Sequence, residues 1–294
     1  MNNLKDILKK YQIHPREYEI KGKVIIVKTQ NNQYVIKNNT NNYDIYHYLN
    51  TRNFNYFPSN YNLHSEKYDI SEYIEDINIP NNQRLNDLIY LLSLLHKQTS
   101  FYKIIDLDEI KEKYEDLNRN VLDLLNYYNN LNDYLDSLIF PSPAQFLLLK
   151  NISIIYYLLN YVKNTLAIWY QEITTKKEKR VALIHNNISI EHVLVNKGKY
   201  LISWDKSLID EPIKDLISLY KKYYNFLNLK DLLNTYNKNN LLNREEVLLF
   251  IIMLALPEKI TFTKDHLKDV KMLNRELNYW KKIYEYLKNN QGET

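Results

Sequence analysis

The apolar positions change rhythm along the chain. Near the start they form short runs, Val24-Ile25-Ile26-Val27 and Tyr34-Val35-Ile36, and Asn31-Asn32 between them suits a hairpin turn. Residues 4–11 carry the pattern of a short amphipathic helix, and Tyr43 to Leu49 reads as another helical run. Ile79-Pro80-Asn81-Asn82 then breaks the pattern. From Leu85 the spacing is helical: Leu85, Leu88, Leu92 and Leu95 recur at intervals of three and four, closing at His96-Lys97-Gln98-Thr99. Two long helical stretches follow, about 107–138 and 145–172, divided by Pro141-Ser142-Pro143 because proline breaks a helix interior.

One β-prone segment interrupts this helical part. Val181 to Ile184 is an apolar run that meets His185, and Val193 to Val195 and Tyr200 to Trp204 are two more. The connection between the last two, Asn196-Lys197-Gly198-Lys199, has the glycine and the length of a hairpin. Residues two apart on an extended strand face the same way, so Asp205 is expected to share a face with Ser203. Asp210-Glu211-Pro212 opens a helix, with proline where a first turn tolerates it. The rest reads as helix, with breaks near 237–240 and at Pro257, and a last helix carrying Tyr279, Trp280, Ile283 and Leu287. The order predicts an α+β protein whose sheet is N-terminal and whose larger remainder is mainly helical with one embedded hairpin.

At 294 residues the chain can bury one large core or two modest lobes. Its 39 basic and 35 acidic residues leave a formal charge of +4, too even a balance for a phosphate backbone to be the expected partner. The 28 tyrosines are scattered and not interleaved with a basic stripe, so they do not mark a nucleic-acid stacking surface. Without cysteine there is no disulfide framework and no thiolate metal site. The start, MNNLKDILKK, is charged where a signal peptide needs an apolar core, and the longest uncharged apolar run, Val247 to Leu256, is too short to span a bilayer. A soluble, cytoplasmic protein without a membrane or nucleic-acid partner is expected.

The order from Val181 to Leu216 resembles the catalytic loop and metal-binding strand of the aminoglycoside phosphotransferase and choline kinase-like superfamily, with its nearest likeness among spore-coat kinase-like proteins. That superfamily reads roughly His-Gly-Asp-x-x-x-x-Asn, a hairpin, Ile-Asp-Trp/Phe-Asp, then Asp-Pro-x-x-Asp-Leu. Here His185 stands at the His, Asn186 at the Gly, Asn187 at the catalytic Asp, His192 at the metal-binding Asn and Ser203 at the metal-binding Asp, while Trp204, Asp205, Asp210, Pro212, Asp215 and Leu216 match. The resemblance implies a protein-kinase-like two-lobed fold, with a small N-terminal lobe over 1–78 bearing an antiparallel sheet and a helical C-terminal lobe over 79–294 containing the segment 181–216. It implies that Lys37 holds nucleotide phosphates, that Asp44 pairs with it, and that the Tyr68–Glu75 run ends in the adenine linker, with Glu72 and Ile74 beside the nucleotide. His96 falls on the helix that supports the catalytic loop.

Phosphoryl transfer in such folds needs a loop carboxylate to take the hydroxyl proton and oxygen ligands for the metal. An amide at Asn187 is no base, Ser203 is neutral, and His192 offers nitrogen where Mg²⁺ prefers oxygen. His185 and Asp215 remain able to hold the loop in shape. Three readings follow. The first is a catalytically degenerate homologue, a pseudokinase acting by binding a nucleotide such as ATP, or a protein, with no Mg²⁺ expected. The second is an active kinase whose metal has moved to Asp205 and Glu191. The third is a structural coat-type protein without a ligand.

Overall fold

A computed structural model describes residues 8–9, 11–22, 24–38, 43–61 and 68–290. They form two compact units, one from Met1–Ser100, Ala182–Asp215 and Lys238–Asn240, the other from Phe101–Val181, Leu216–Asn237 and Leu241–Thr294.

In the first unit β1 (Glu17–Lys21), β2 (Val24–Lys28), β3 (Gln33–Asn38) and β4 (Tyr68–Glu72) make an antiparallel sheet in that order. Its register places Val27 opposite Tyr34, Ile25 opposite Ile36 and Ile36 opposite Ile70. Val27, Ile36 and Ile70 therefore share a face, which packs with Leu8 and Ile13 into a core. Residues on the alternate positions, among them Lys37 and Asp69, lie on the other face. The hairpin turn falls where expected, closed by Asn32 N–H donating to the Thr29 hydroxyl at 3.0 Å. β1 was not foreseen, and its five residues are all exposed, so only pairing with β2 marks it as a strand. The helix expected over 4–11 lies largely outside the described residues, with only Leu8 and Lys9 seen as helical.

Helix α1 spans Tyr43–Thr51, and α2 spans Asn81–Thr99. The four leucines that predicted α2 are all buried. Strand β6 (Glu178–Ile184) leads into the loop at His185, and β7 (Val193–Val195) pairs with β8 (Lys199–Leu201) as a separate two-stranded hairpin. A short β9 (Leu208–Asp210) pairs with Ala182–Ile184 before α5 (Ile213–Tyr223) begins.

One expectation fails here. The run Tyr200 to Trp204 is not a continuous strand: β8 ends at Leu201, Ser203 adopts a left-handed conformation (φ 70°, ψ 55°), and Trp204–Lys206 is one 3-10 turn. Asp205 and Ser203 therefore do not share a strand face. Burial of Trp204 is the physical reason: its indole is fully enclosed, donates to the Leu201 carbonyl at 3.0 Å, and packs edge-on against Phe54 and His185. The chain must curl at Ser203 to seat it.

The second unit contains α3 (Leu107–Asp136), α4 (Pro143–Thr174), α6 (Leu229–Asn237), α7 (Arg244–Ala255) and α8 (His266–Asn289), and a short β5 (Phe101–Ile104) pairs with the first half of β6. Asp106 caps α3 by accepting from the Asp108 and Glu109 amides. Ser142 and Gln145 cap α4 reciprocally, with Pro143 in the first turn. Trp169, Trp280 and Tyr128 are among its buried residues, and Arg180 pairs with Glu246. Among the described residues no helix is long and apolar enough to cross a membrane.

Candidate functional site

The loop after β6 is organised by one buried carboxylate. Asp215, in the first turn of α5 and 1% exposed, accepts from the His185 amide at 2.7 Å, the Asn186 amide at 2.8 Å and the His96 imidazole Nε2 at 3.1 Å. A carboxylate only accepts, so His96 carries its proton on Nε2. His96 thus supports the loop from α2, as the resemblance implied. His185 is itself fully buried, and its Nε2 donates to the Ile202 carbonyl at 2.9 Å. That leaves Nδ1 as a buried lone pair without a partner among the described residues. Burial lowers the His185 pKa, against a smaller opposing pull from Asp215, and the ring stays uncharged. Asn186 sits at φ 53° and its side chain donates to the Lys206 carbonyl at 3.1 Å. A left-handed backbone at this point is open to glycine and, at modest cost, to asparagine, which explains how Asn186 can occupy its place.

Asn187 and His192 are joined. The His192 Nδ1 lies 2.7 Å from the Asn187 backbone carbonyl, so it donates there and the neutral ring keeps its lone pair on Nε2. The ring is half-buried, 5.9 Å from that of His185. Glu191 is exposed on the intervening turn, and its amide donates to the Ser189 hydroxyl. Among the described residues no group of three or more His, Asp and Glu side chains is placed to hold a metal ion. Of the side chains at 187, 203 and 192, the amide and the hydroxyl offer neutral oxygens and the imidazole only nitrogen, whereas Mg²⁺ is usually bound through carboxylates.

On the sheet face away from the core, Lys37 stands directly opposite Asp69. Cross-strand pairs of this kind place their side chains side by side, and Asp69 is only 5% exposed. Asp44, the expected partner of Lys37, is exposed in the first turn of α1, and no ion pair joins the two among the described residues. Two residues later on the same helix, Tyr46 packs on Phe57, and its phenol pKa is raised by burial, then by the charges of Asp69 and Asp205. The acid facing Lys37 is therefore a strand residue. Sequence reasoning missed Asp69 and Tyr46. The signal was present for Asp69, which sits one position before Ile70 and must point away from the core face.

Glu72 and Ile74 lie apart from the loop. With Asn31, Tyr61, Asn196 and Tyr200 they line a cavity of about 330 Å³. Glu72 is exposed and Ile74 buried, and backbone bonds fix the segment: Glu72 N–H to Ser59 O at 2.9 Å and Tyr73 N–H to Gln33 O at 3.0 Å. Lys37, His185, Asn187, His192, Ser203 and Asp205 are not part of this lining.

No protein-family model matches the chain. Nor does any curated protein sequence. Solved structures do match in fold. An aminoglycoside phosphotransferase from Alicyclobacillus acidocaldarius superposes with a TM-score of 0.62 at 11% identity, covering 98% of this chain and 96% of that one. A spectinomycin phosphotransferase solved as its AMP-bound complex gives a TM-score of 0.51 at 13% identity, covering 96% and 98%. Identities this low speak to architecture alone, and the antiparallel sheet followed by helices with an embedded hairpin agrees with it. The chain has the α+β kinase-like fold of these phosphotransferases.

Proposed function

We propose that this protein is a catalytically degenerate phosphotransferase homologue, a cytoplasmic pseudokinase that acts by binding a nucleotide. One observation carries the reading. The loop frame is kept whole by Asp215, His185 and His96, while the positions that the resemblance assigns to base and metal hold Asn187, His192 and Ser203. A loop held in shape without its carboxylates suits recognition and not hydroxyl phosphorylation. Lys37, half-buried and facing Asp69, is the residue assigned to the nucleotide phosphates. The Glu72–Ile74 segment is assigned to the base, through backbone groups. The spectinomycin phosphotransferase of the same fold was solved with AMP bound, and the same ligand class is proposed here. A protein partner acting on the bound form belongs to the same reading.

Thermal shift with ATP, in Mg²⁺ and in EDTA, tests it. The expected result is a rise in Tm that persists in EDTA and is reduced in Lys37→Ala. Stabilisation only with Mg²⁺ would instead favour an active kinase with a displaced metal, and no response to any nucleotide would leave a coat-type structural role.

A further inference from the structure

We propose that the protein associates with a second copy of itself, the turn between α3 and α4 of one copy entering a basic-rimmed cavity at the start of α8 of the other. Both surfaces belong to the second unit, so the inference stands apart from the nucleotide-binding reading. In the turn, Ile139 is 86% and Phe140 91% exposed, the two largest values for large apolar side chains among the described residues. A single exposed apolar residue is ordinary on a protein surface, but Tyr134 near the end of α3 and Phe146 in the first turn of α4 are exposed beside them. The turn is also pinned at both ends. The Ser137 amide donates to the Asp133 and Tyr134 carbonyls at 3.2 Å and the Leu138 amide to Leu135 O at 3.2 Å, while the Ser142 amide donates to the Gln145 side chain at 2.7 Å. The apolar pair is therefore presented in one shape, and little ordering entropy is lost when it is covered.

Charge selects what covers it. Asp133 and Asp136 are exposed and three residues apart, so they stand on one face of α3 next to the turn. Asp136 accepts from the Asn132 side chain at 3.0 Å, and neither acid is in an ion pair among the described residues. The start of α8 carries the opposite pattern. Asp265, Leu267, Lys268, Lys271, Met272 and Arg275 line a cavity of about 530 Å³. Leu267 and Met272 give it apolar walls. Lys268 and Lys271, both exposed and again three residues apart, give it a basic rim, and they too are in no ion pair among the described residues. The remaining charges are engaged locally: the Asp265 carboxylate caps α8 by accepting from the Lys268 amide at 3.0 Å, and Arg275 holds Glu276 at 2.8 Å. Two acids beside an apolar turn thus match two lysines beside an apolar cavity at the same helical spacing, which sets partner and register. A bilayer is the poorer occupant, because a commonly anionic surface repels the two acids. The contact joins unlike surfaces, so every copy offers one of each.

Sedimentation velocity of the full-length protein at rising concentration tests this. The expected result is a mass that grows beyond one chain, less readily at high salt. Phe140→Ser and the double variant Lys268→Glu/Lys271→Glu should each weaken association by at least about tenfold in Kd, with Tm of the dilute protein unchanged because all three side chains are exposed. The decisive arm mixes the two variants. The first keeps its cavity and the second its turn, so the mixture should regain a one-to-one pair that neither variant forms alone. A mixture that stays monomeric means that like surfaces meet and overturns the proposal. So does an unaltered protein that is monomeric at every concentration, or association that survives both changes. Monomers that bind phosphatidylserine-containing vesicles through Phe140 would give the turn to a lipid surface and overturn it as well.

Discussion

Asp215 is the residue on which the loop depends. Its three donors are two backbone amides and one imidazole, those of His185 and His96 in buried bonds, and removing the acceptor strands each of them. Asp215→Ala is expected to cost at least about 3 kcal/mol, more than a single unsatisfied buried group at about 1–3 kcal/mol, and urea denaturation measures it. Ser203 behaves in the opposite sense. It holds a left-handed backbone without glycine, so Ser203→Gly is expected to leave stability unchanged or raise it by up to about 1 kcal/mol. A loss there would mean that the Ser203 hydroxyl holds the loop together. His185 adds a pH dependence. Its folded-state pKa lies below the ordinary value of about 6.5, chiefly through burial, so the unfolded chain binds the proton more readily. Its contribution is complete above about pH 6.5 and is lost as pH falls from there through the lowered value. The urea midpoint should therefore drop between about pH 7 and about pH 5, and drop less in His185→Asn.

At the scale of elements, the linker after β4 is stitched to the hairpin. Ile77 N–H donates to Val195 O at 2.8 Å, Val195 N–H to the Asp76 carboxylate at 2.9 Å, and the Asn196 side chain to Glu75 O at 2.7 Å. Arg84 of α2, itself buried, bonds Asp76 and the carbonyls of Ile77 and Val193. Asp76 thus answers both a backbone amide and a guanidinium. Asp76→Ala is expected to destabilise by about 1–3 kcal/mol and to speed hydrogen exchange at the Val195 amide. If exchange there were unchanged, the hairpin would be held by β7–β8 pairing alone. The bonds to the hairpin were not legible in the sequence, because they join residues more than a hundred positions apart. The elements themselves were legible in proportion to their length and pattern. α2, α3 and α4 announce themselves through long periodic runs, with prolines at the starts of α2 and α4. β5 and β9, of four and three residues, carry too few positions to show a period. The curl at Ser203 was hidden because nothing in a serine signals a positive φ, whereas a buried tryptophan one residue on demanded it. For the site, the loop frame was readable from residue types in order, and the acid opposite Lys37 was not, since strand register selects Asp69 and sequence proximity to a helix start selects Asp44.

For the whole molecule, compactness follows contacts and not chain order. The first unit takes the chain up to Ser100, then again over Ala182–Asp215 and Lys238–Asn240. The loop carboxylate shows why: Asp215 is bonded by His96 of α2 as well as by His185 and Asn186, so the N-terminal hundred residues and the later segment complete each other's buried polar groups. Thr99 repeats the pattern, its hydroxyl accepting from the Leu183 amide at 3.1 Å. Lys199 and Asp87 do so a third time, at 2.6 Å. A fragment ending at residue 100 would leave His96, Thr99 and Asp87 facing groups that are no longer there, along with an α2 face that is buried at Leu88, Leu92 and Leu95. Such a fragment is expected to populate helix without a cooperative thermal transition, as does a chain that has lost fixed packing but not local structure. Adding residues 182–215 to it through a flexible linker should restore a sigmoidal melt and dispersed amide resonances. A fragment 1–100 that melts cooperatively by itself would mean that its sheet and α2 form a self-sufficient core, and that the segment containing His185 and Asp215 docks onto a preformed surface.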